Sequence, residues 1–321
     1  LPYARGYALV VLPGYFLFGI SLGLNNFIRS SGHPKTAMAT QFIGAIINMA
    51  VGPLFIFVFH WGIRGAAAAT VSGQAVSFIW VILFFTGQRS FYRLRWKFFK
   101  LKKYIALDSM AIGFSQFAFQ IASSTLNIIL NHSLLKYGGN LAISAVGIAV
   151  SVNTLVMMPL IGLSQGAQPI ISFNYGAKHP ERVKAAFRIL LISCLSFSLV
   201  LGLTCIFAPQ IFVYLLTPDE ALRAYAIPCV RLYMAGVTIF GAQIACQQTF
   251  VALGNAKCSL FLACLRKLIL LIPLVYLLPL FISDTVFAIF LAEPIADVLA
   301  VLCTVTLFAH VFRKTMRGIA A

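Results

Sequence analysis

Long apolar segments restrict what this chain can fold into. Nine can be drawn, and each approaches or exceeds the roughly 20 residues that a helix needs to cross a bilayer. They cover residues 7–31, 36–59, 65–87, 109–136, 141–167, 183–215, 221–253, 256–281 and 285–312. Of the 321 residues, 61% are hydrophobic and 10% are charged, whereas about 25% are charged in soluble domains. A soluble fold cannot bury this much apolar surface, so the sequence predicts an all-α integral membrane protein.

The basic residues indicate how these segments are oriented. Most of the 24 Lys and Arg residues fall on alternate connections, and seven of them lie in one acid-free run over residues 88–103. Cytoplasmic loops carry such an excess, so we expect these connections and the C-terminus on the cytoplasmic side of the cell inner (plasma) membrane. The net charge of +17 then belongs to loops at a lipid surface, which argues against nucleic-acid binding.

Two parts of the chain repeat each other. Three glycines and a lysine recur at one constant spacing: Gly14, Gly19, Gly32 and Lys35 correspond to Gly236, Gly241, Gly254 and Lys257. Both copies contain three apolar segments and start on the same side of the membrane, so the repeat is parallel, with its axis along the membrane normal. The paired glycines in the segments predict close helix approach, and they are also candidate bending points.

The repeat predicts two lobes. Three further apolar segments precede the second copy, so symmetry predicts three more helices upstream of the first copy and two lobes of six helices each. We expect residues 1–87 to be the remaining three helices of one lobe. Residues 88–106 would be a basic cytoplasmic linker, and residues 107–321 would form the other lobe.

Four stretches resemble the MATE (multidrug and toxic compound extrusion) transporters. Residues 26–36 are similar to the turn between the fourth and fifth helices of that family, and residues 65–74 to the start of its sixth. Residues 162–178 are similar to the end of its eighth helix, and residues 290–297 to its twelfth. The resemblance implies a two-lobed bundle of twelve helices, of which this chain would hold the last nine. It also implies a transporter, and no enzyme, that exports amphipathic organic cations in exchange for H⁺ or Na⁺.

Secondary active drug export by alternating access of the two lobes is the predicted function. The sequence has no GxxxxGKS/T phosphate loop, so the energy would come from an ion gradient, and no cofactor other than H⁺ or Na⁺ is expected. The seven cysteines show neither CxxC spacing nor a histidine at metal spacing, so no metal site is predicted. We expect a monomer that binds small cationic drugs.

Other functions remain open at this point. A flippase for lipid-linked oligosaccharides belongs to the same wider superfamily, but it needs a cationic cavity for pyrophosphate, and Arg231 and Arg266 are few cations for that purpose. An integral-membrane enzyme needs a motif such as HExxH or a clustered Ser, His and Asp set, and the sequence contains neither. A scaffold or a channel is a further alternative.

Two acids in the last apolar segment are candidates for ion coupling. Glu293 and Asp297 are spaced i, i+4 and therefore share one face of a helix, near the middle of the membrane. Ionisable groups are costly inside a bilayer, and two neighbouring carboxylates favour uptake and release of a proton. A structural ion pair with Arg266 or Arg231 explains the same residues. Glu293, Asp297 and Arg266 are therefore proton- or cation-coupling candidates, with the structural role open.

Polar side chains at helical spacing line the segment 109–136. Gln116, Gln120 and Asn127 belong to this stripe, which must face protein or water, either as a cavity wall or as hydrogen-bonding contacts between helices. Four more substrate-cavity candidates are Asn153, Met157, Gln243 and Gln247. Asn153 and the flexible, polarisable Met157 suit a pocket for flat cationic drugs, and ordinary core packing explains them equally well. The two glutamines stand where some MATE members carry an acid in the tenth helix.

Overall fold

The computed structural model describes residues 2–87, 102–282 and 284–320. In these ranges all regular structure is helical, which confirms the predicted all-α fold. The chain divides into two compact units, Leu1–Lys102 and Lys103–Ala321. The predicted linker, residues 88–106, lies largely outside the described residues, and the assignment of its flanks to two lobes stays a prediction.

The N-terminal unit contains three helices. They are α1 (Pro2–Ser30), α2 (Pro34–Pro53, continued by the π-helical stretch Leu54–Val58) and α3 (Gly62–Thr86). α3 packs against both α1 and α2. The backbones of α2 and α3 touch, because a Cβ at Gly73 would lie 2.5 Å from the carbonyl oxygen of Gly44. Small residues allow this close helix packing in a membrane.

The C-terminal unit contains the remaining helices. They are α4 (Lys103–Gly176), α5 (Pro180–Phe207), α6 (Gln210–Leu216), α7 (Glu220–Tyr233), α8 (Val237–Ala252), α9 (Ala256–Cys264), α10 (Ile272–Phe281) and α11 (Thr285–Ala320). The π-helical stretch Leu265–Leu271 joins α9 to α10. α8 lies at the centre of the unit, since it contacts α4, α5, α9 and α11 and most of its side chains are buried.

Apolar helices account for most of both units. Seven helices in the described ranges are long and apolar enough to cross a membrane, or eight if the bent pair α7–α8 counts as one span. Large side chains such as Phe207 and Phe281 are exposed on the outside, as expected of a surface that faces lipid. The predicted span 109–136 lies in α4, where most side chains fall outside the described residues. α4 is kinked at Gly139, whose φ of +65° lies in a region that suits glycine.

Two of the predicted spans contain a break in the helix. The segment 183–215 contains α5, which ends at Phe207, and the short α6. Pro209 explains the break, because a proline disfavours the helical conformation of the residue before it, and Ala208 has φ −131° and ψ 52°. The segment 221–253 bends by 48° between α7 and α8, at the point where Gly236 packs against α11.

Candidate functional site

Two acidic side chains lie buried inside the C-terminal unit. Glu293 and Asp297 are one turn apart on α11, and only 7% and 1% of their surfaces are exposed. Removing a carboxylate from water is costly unless an opposite charge and hydrogen bonds compensate for the loss. The i, i+4 spacing seen in the sequence therefore places two groups together that require a nearby cation.

Arg266 supplies this cation. Its Nε donates a hydrogen bond to Asp297 Oδ1 at 2.5 Å, and its Nη2 donates to Glu293 Oε1 at 3.0 Å. The guanidinium also lies over the Phe240 ring, 4.3 Å from the ring centroid. A guanidinium can hold both carboxylates at once because its N–H donors form a rigid fork. Of the two partners that the sequence suggested, Arg266 is the one in this cluster, whereas Arg231 is exposed on α7.

Arg266 lies in the π-helical stretch Leu265–Leu271. π-Helical turns are rare, and they occur frequently at functional sites. The next residue, Lys267, is partly buried and lies close enough to both carboxylates to interact with them electrostatically. The π-helical stretch thus places two cations beside two buried acids.

The bend between α7 and α8 completes the site. A Cβ at Gly236 would lie 2.6 Å from Asp297 Cβ and 3.0 Å from Pro294 Cα, so only glycine fits at this contact. Three residues earlier, Tyr233 is partly buried, packs edge-on against Phe290 of α11 and lies close enough to Glu293 to interact with it electrostatically. Tyr233 was not among the residues that the sequence predicted for this site. Its position close before a candidate bending glycine was the signal that could have found it.

Of the predicted cavity residues of α4, the structure describes the side chains of Gln120, Asn153 and Met157. Gln120 is exposed. The side chains of Gln116 and Asn127 lie outside the described residues, so the predicted polar stripe stays a prediction. Met157 packs, partly buried, against three of the buried apolar clusters of the unit. Met157 therefore packs in the hydrophobic core of this unit.

The predicted glutamines of α8 lie inside the C-terminal unit. Gln243 is 2% exposed and Gln247 is partly buried. The neighbouring Gln248 donates a hydrogen bond to Gln168 of α4 at 3.4 Å, which links the two helices. Gln243 lies two helical turns beyond Gly236, and therefore on the same face of α8 as the contact with Asp297.

The N-terminal unit repeats this packing without the charges. Gly14 packs against Gln74, because an added Cβ would meet Gln74 Oε1. These two residues lie 222 and 223 positions before Gly236 and Asp297, respectively. At the offset of 222 that relates the glycines, the counterpart of Arg266 is Gly44. A cavity of about 520 Å³ lies at this place and is lined by Gly44, Gln74 and other residues of α1–α3. The repeat therefore keeps the helix contacts and replaces the ionic cluster with neutral groups around a cavity.

These features of the sequence and the structure define a class of protein. Apolar spans, an internal repeat and an ionic cluster buried among the helices are typical of multi-pass membrane transporters. The MatE family model matches residues 112–277, just over half of the chain. The chain belongs to the MATE transporter family, which confirms the family that the four sequence stretches indicated.

Two of the curated relatives that this chain resembles come from staphylococci. The multidrug export protein MepA of Staphylococcus haemolyticus is 23% identical over 278 residues, which cover 86% of this chain and 61% of that protein. MepA of Staphylococcus aureus is 24% identical over 286 residues, which cover 87% of this chain and 62% of that protein. The chain thus spans about three fifths of the length of these relatives.

Solved structures of the family share the fold. The MATE multidrug transporter DinF-BH, solved in complex with a ligand, has a TM-score of 0.86 and 30% identity, covering 96% of this chain and 69% of that one. A MATE transporter in the bent conformation has a TM-score of 0.88 and 20% identity, covering 99% and 70% of the two chains. At that lower identity the likeness concerns the fold alone.

Proposed function

We propose that this protein is a secondary active multidrug exporter, which antiports amphipathic organic cations against H⁺ or Na⁺ by alternating access. Membership of the MATE family and the two relatives named as multidrug export proteins support the drug-export part. The observation that carries ion coupling is the binding of one guanidinium, Arg266, to two buried carboxylates, Glu293 and Asp297.

The ionic cluster can respond to one added positive charge. Uptake of a proton by Asp297 neutralises the acceptor of the Arg266 Nε hydrogen bond and removes the ion pair between the two residues, one of the two that compensate the buried guanidinium. Loss of this ion pair loosens the contact between the π-helical stretch and α11. Because Gly236 packs directly on Asp297, the bend of α7–α8 is released by the same event.

The remaining properties of the proposal follow from the sequence. The protein would act as a monomer in the plasma membrane with its C-terminus in the cytoplasm, and would require no cofactor beyond its coupling ion. Its transported partners would be flat organic cations. Gln120, Asn153, Met157, Gln243 and Gln247 remain the candidate contacts for them, together with Gln116 and Asn127.

Neutralising either acid should strongly reduce ion-driven export. In proteoliposomes, Glu293→Gln and Asp297→Asn should each lower the initial rate of ΔpH- or ΔNa⁺-driven efflux of a fluorescent organic cation by about tenfold or more, because a group that binds the coupling ion is lost. Equilibrium binding of the same cation should change little, since the shape of both side chains is kept.

A matched control is available on the surface. Glu181 is an exposed carboxylate that also pairs with a cation, Lys184, at 2.9 Å. Such exposed ion pairs contribute little to the free energy of unfolding. Glu181→Gln makes the same chemical change as Glu293→Gln and should leave efflux unchanged. Wild-type rates in both Glu293→Gln and Asp297→Asn would rule out this cluster as the coupling site.

A further inference from the structure

Arg231 is a charged residue inside a membrane-spanning segment. α7 and α8 together form one bent apolar span, and Arg231 lies eleven residues after Glu220, at which α7 begins. Eleven residues of helix are about 16 Å long, which is about half the thickness of the hydrocarbon core of a bilayer. An arginine at this depth is costly in contact with lipid, so such residues face water or pair with an acid.

Arg231 is exposed and has no acidic partner in the described parts of the chain. The two buried acids of the C-terminal unit, Glu293 and Asp297, are bound to Arg266. Together with Lys267, these residues form a cluster of two cations and two anions, which has no net charge. Arg231 therefore remains as a positive charge without a compensating anion.

The exposed face of α7 differs from the surfaces that face lipid. After its first residue, the exposed residues of α7 are Ala221, Ala224, Pro228 and Arg231. Successive members are three or four residues apart, so they share one face of the helix. The helices α5 and α10 expose several large hydrophobic side chains, whereas none of those exposed in the described ranges lies on α7 or α8. The face that carries Arg231 therefore suits contact with water and not with hydrocarbon.

α4 presents polar side chains at the same depth. α4 packs against α7, and Asn153 lies close enough to Tyr233 to interact with it. Ser151 and Arg231 each lie two residues before one of these positions, so their levels differ by about one helical turn at most. Ser151 and Thr154 are both exposed. Exposed polar groups on two packed helices indicate a surface that lines water within the membrane.

The guanidinium of Arg231 is available to a ligand. In the described part of the chain it forms neither a salt bridge nor a hydrogen bond. Arg223, two turns earlier on α7, is held within the protein, because it lies 4.6 Å over the Tyr214 ring and its Nε donates to the Thr217 carbonyl at 2.8 Å. The planar fork of an arginine matches the two oxygens of a carboxylate.

We propose that Arg231 binds the carboxylate of the transported compound, so that the exporter favours zwitterions over cations of the same shape. The inference rests on the proposed function and narrows its substrate class, since a zwitterion carries a carboxylate as well as a cationic nitrogen. Arg231 repels a compound that is only cationic, whereas a carboxylate supplies the anion that this arginine lacks. One guanidinium balances the single charge of a carboxylate, and a pyrophosphate would require more cations.

Two dyes that differ in one charge test this site. A rhodamine with a free carboxylate and the ethyl ester of the same rhodamine share the cationic ring system. Fluorescence anisotropy measures the Kd of each dye for the full chain in detergent. Arg231→Gln should weaken binding of the acid by about tenfold, because a hydrogen-bonded charge pair is lost. Binding of the ester should stay within about twofold or become tighter.

The matched control is Arg223→Gln, on the same helix. Its guanidinium is engaged by Tyr214 and Thr217, so this change should leave the ratio of the two Kd values as in the wild type. Arg231→Lys keeps the charge but not the fork, and should give an intermediate ratio; it serves if Arg231→Gln does not fold. A wild-type ratio in the Arg231 variants, or an equal loss of both dyes, would overturn the carboxylate site.

Efflux from proteoliposomes tests the proposed function separately. Under ΔpH or ΔNa⁺, Arg231→Gln should lower efflux of the acid by about tenfold relative to the ester, and an equal reduction of both would count against the site. A wild-type chain that exports neither dye would contradict the proposed function. In that case the anisotropy ratio still decides whether Arg231 binds a carboxylate.

Discussion

Replacing Arg266 with methionine should lower the free energy of unfolding of the C-terminal unit by about 3–5 kcal/mol, because the change leaves two buried carboxylates without their cation. Arg266 donates to Asp297 at 2.5 Å and to Glu293 at 3.0 Å. The methionine thioether can still pack on the Phe240 ring, so the loss reports on charge more than on volume. Thermal or denaturant unfolding in detergent measures the effect against the wild type.

Two further variants separate stability from coupling. Arg266→Lys keeps the charge but cannot reproduce the fork that holds both carboxylates, and should fall between wild type and Arg266→Met. The triple variant Arg266→Met, Glu293→Gln, Asp297→Asn removes all three charges and should recover most of the lost stability while efflux remains abolished. If the triple variant were as unstable as Arg266→Met alone, the destabilisation would not come from unpaired charge.

The charged residues of the site could largely be predicted from the sequence. Glu293 and Asp297 were found by their i, i+4 spacing in an apolar helix, where an acid is unexpected. The sequence could not show whether Arg231 or Arg266 pairs with the two acids. The direction in which each side chain points depends on the rotation of its helix, and packing against neighbouring helices sets that rotation. Arg231 faces outward, and only the structure distinguishes the two.

The breaks in the helices were less predictable. The bend before α8 falls at Gly236, one of the candidate bending glycines of the sequence, but the sequence does not show that this glycine meets the backbone of α11. The π-helical stretch that carries Arg266 also has no local sequence signal that we recognise. Tyr233 lies near Glu293 because α7 packs against α11. Each of these features depends on tertiary packing, which overrides local propensity.

The two copies of the repeat share a helix contact but differ in the charge of the side chains around it. Gly14 against Gln74 and Gly236 against Asp297 are the same contact in the two units. The counterpart of the acidic Asp297 is neutral, and the counterpart of Arg266 is Gly44. Losing an acid and its arginine together avoids an unpaired buried charge. A constant geometry therefore supports an ionic cluster in one unit and a neutral cavity in the other.

Gly241→Ala should lower the free energy of unfolding by about 1–3 kcal/mol, the usual cost of forcing an extra methyl group into a tight contact. An added Cβ would collide with the carbonyl oxygen of Cys194 and lie 2.5 Å from Ser198 Oγ. A backbone carbonyl cannot rotate away as a side chain can, so α5 and α8 would have to separate. Separation would also break the hydrogen bond that the Gly241 N–H donates to Ser198 Oγ at 3.2 Å.

The repeat offers the control for this change. Gly19 is the counterpart of Gly241 on α1, is exposed, and has no atom within 4 Å of an added Cβ. Gly19→Ala should therefore be neutral or stabilise by up to about 1 kcal/mol, since alanine is the better helix former. Thermal unfolding of both variants measures the difference. Equal effects would mean that α5 and α8 can move apart freely, and that the glycine at position 241 serves bending and not close packing.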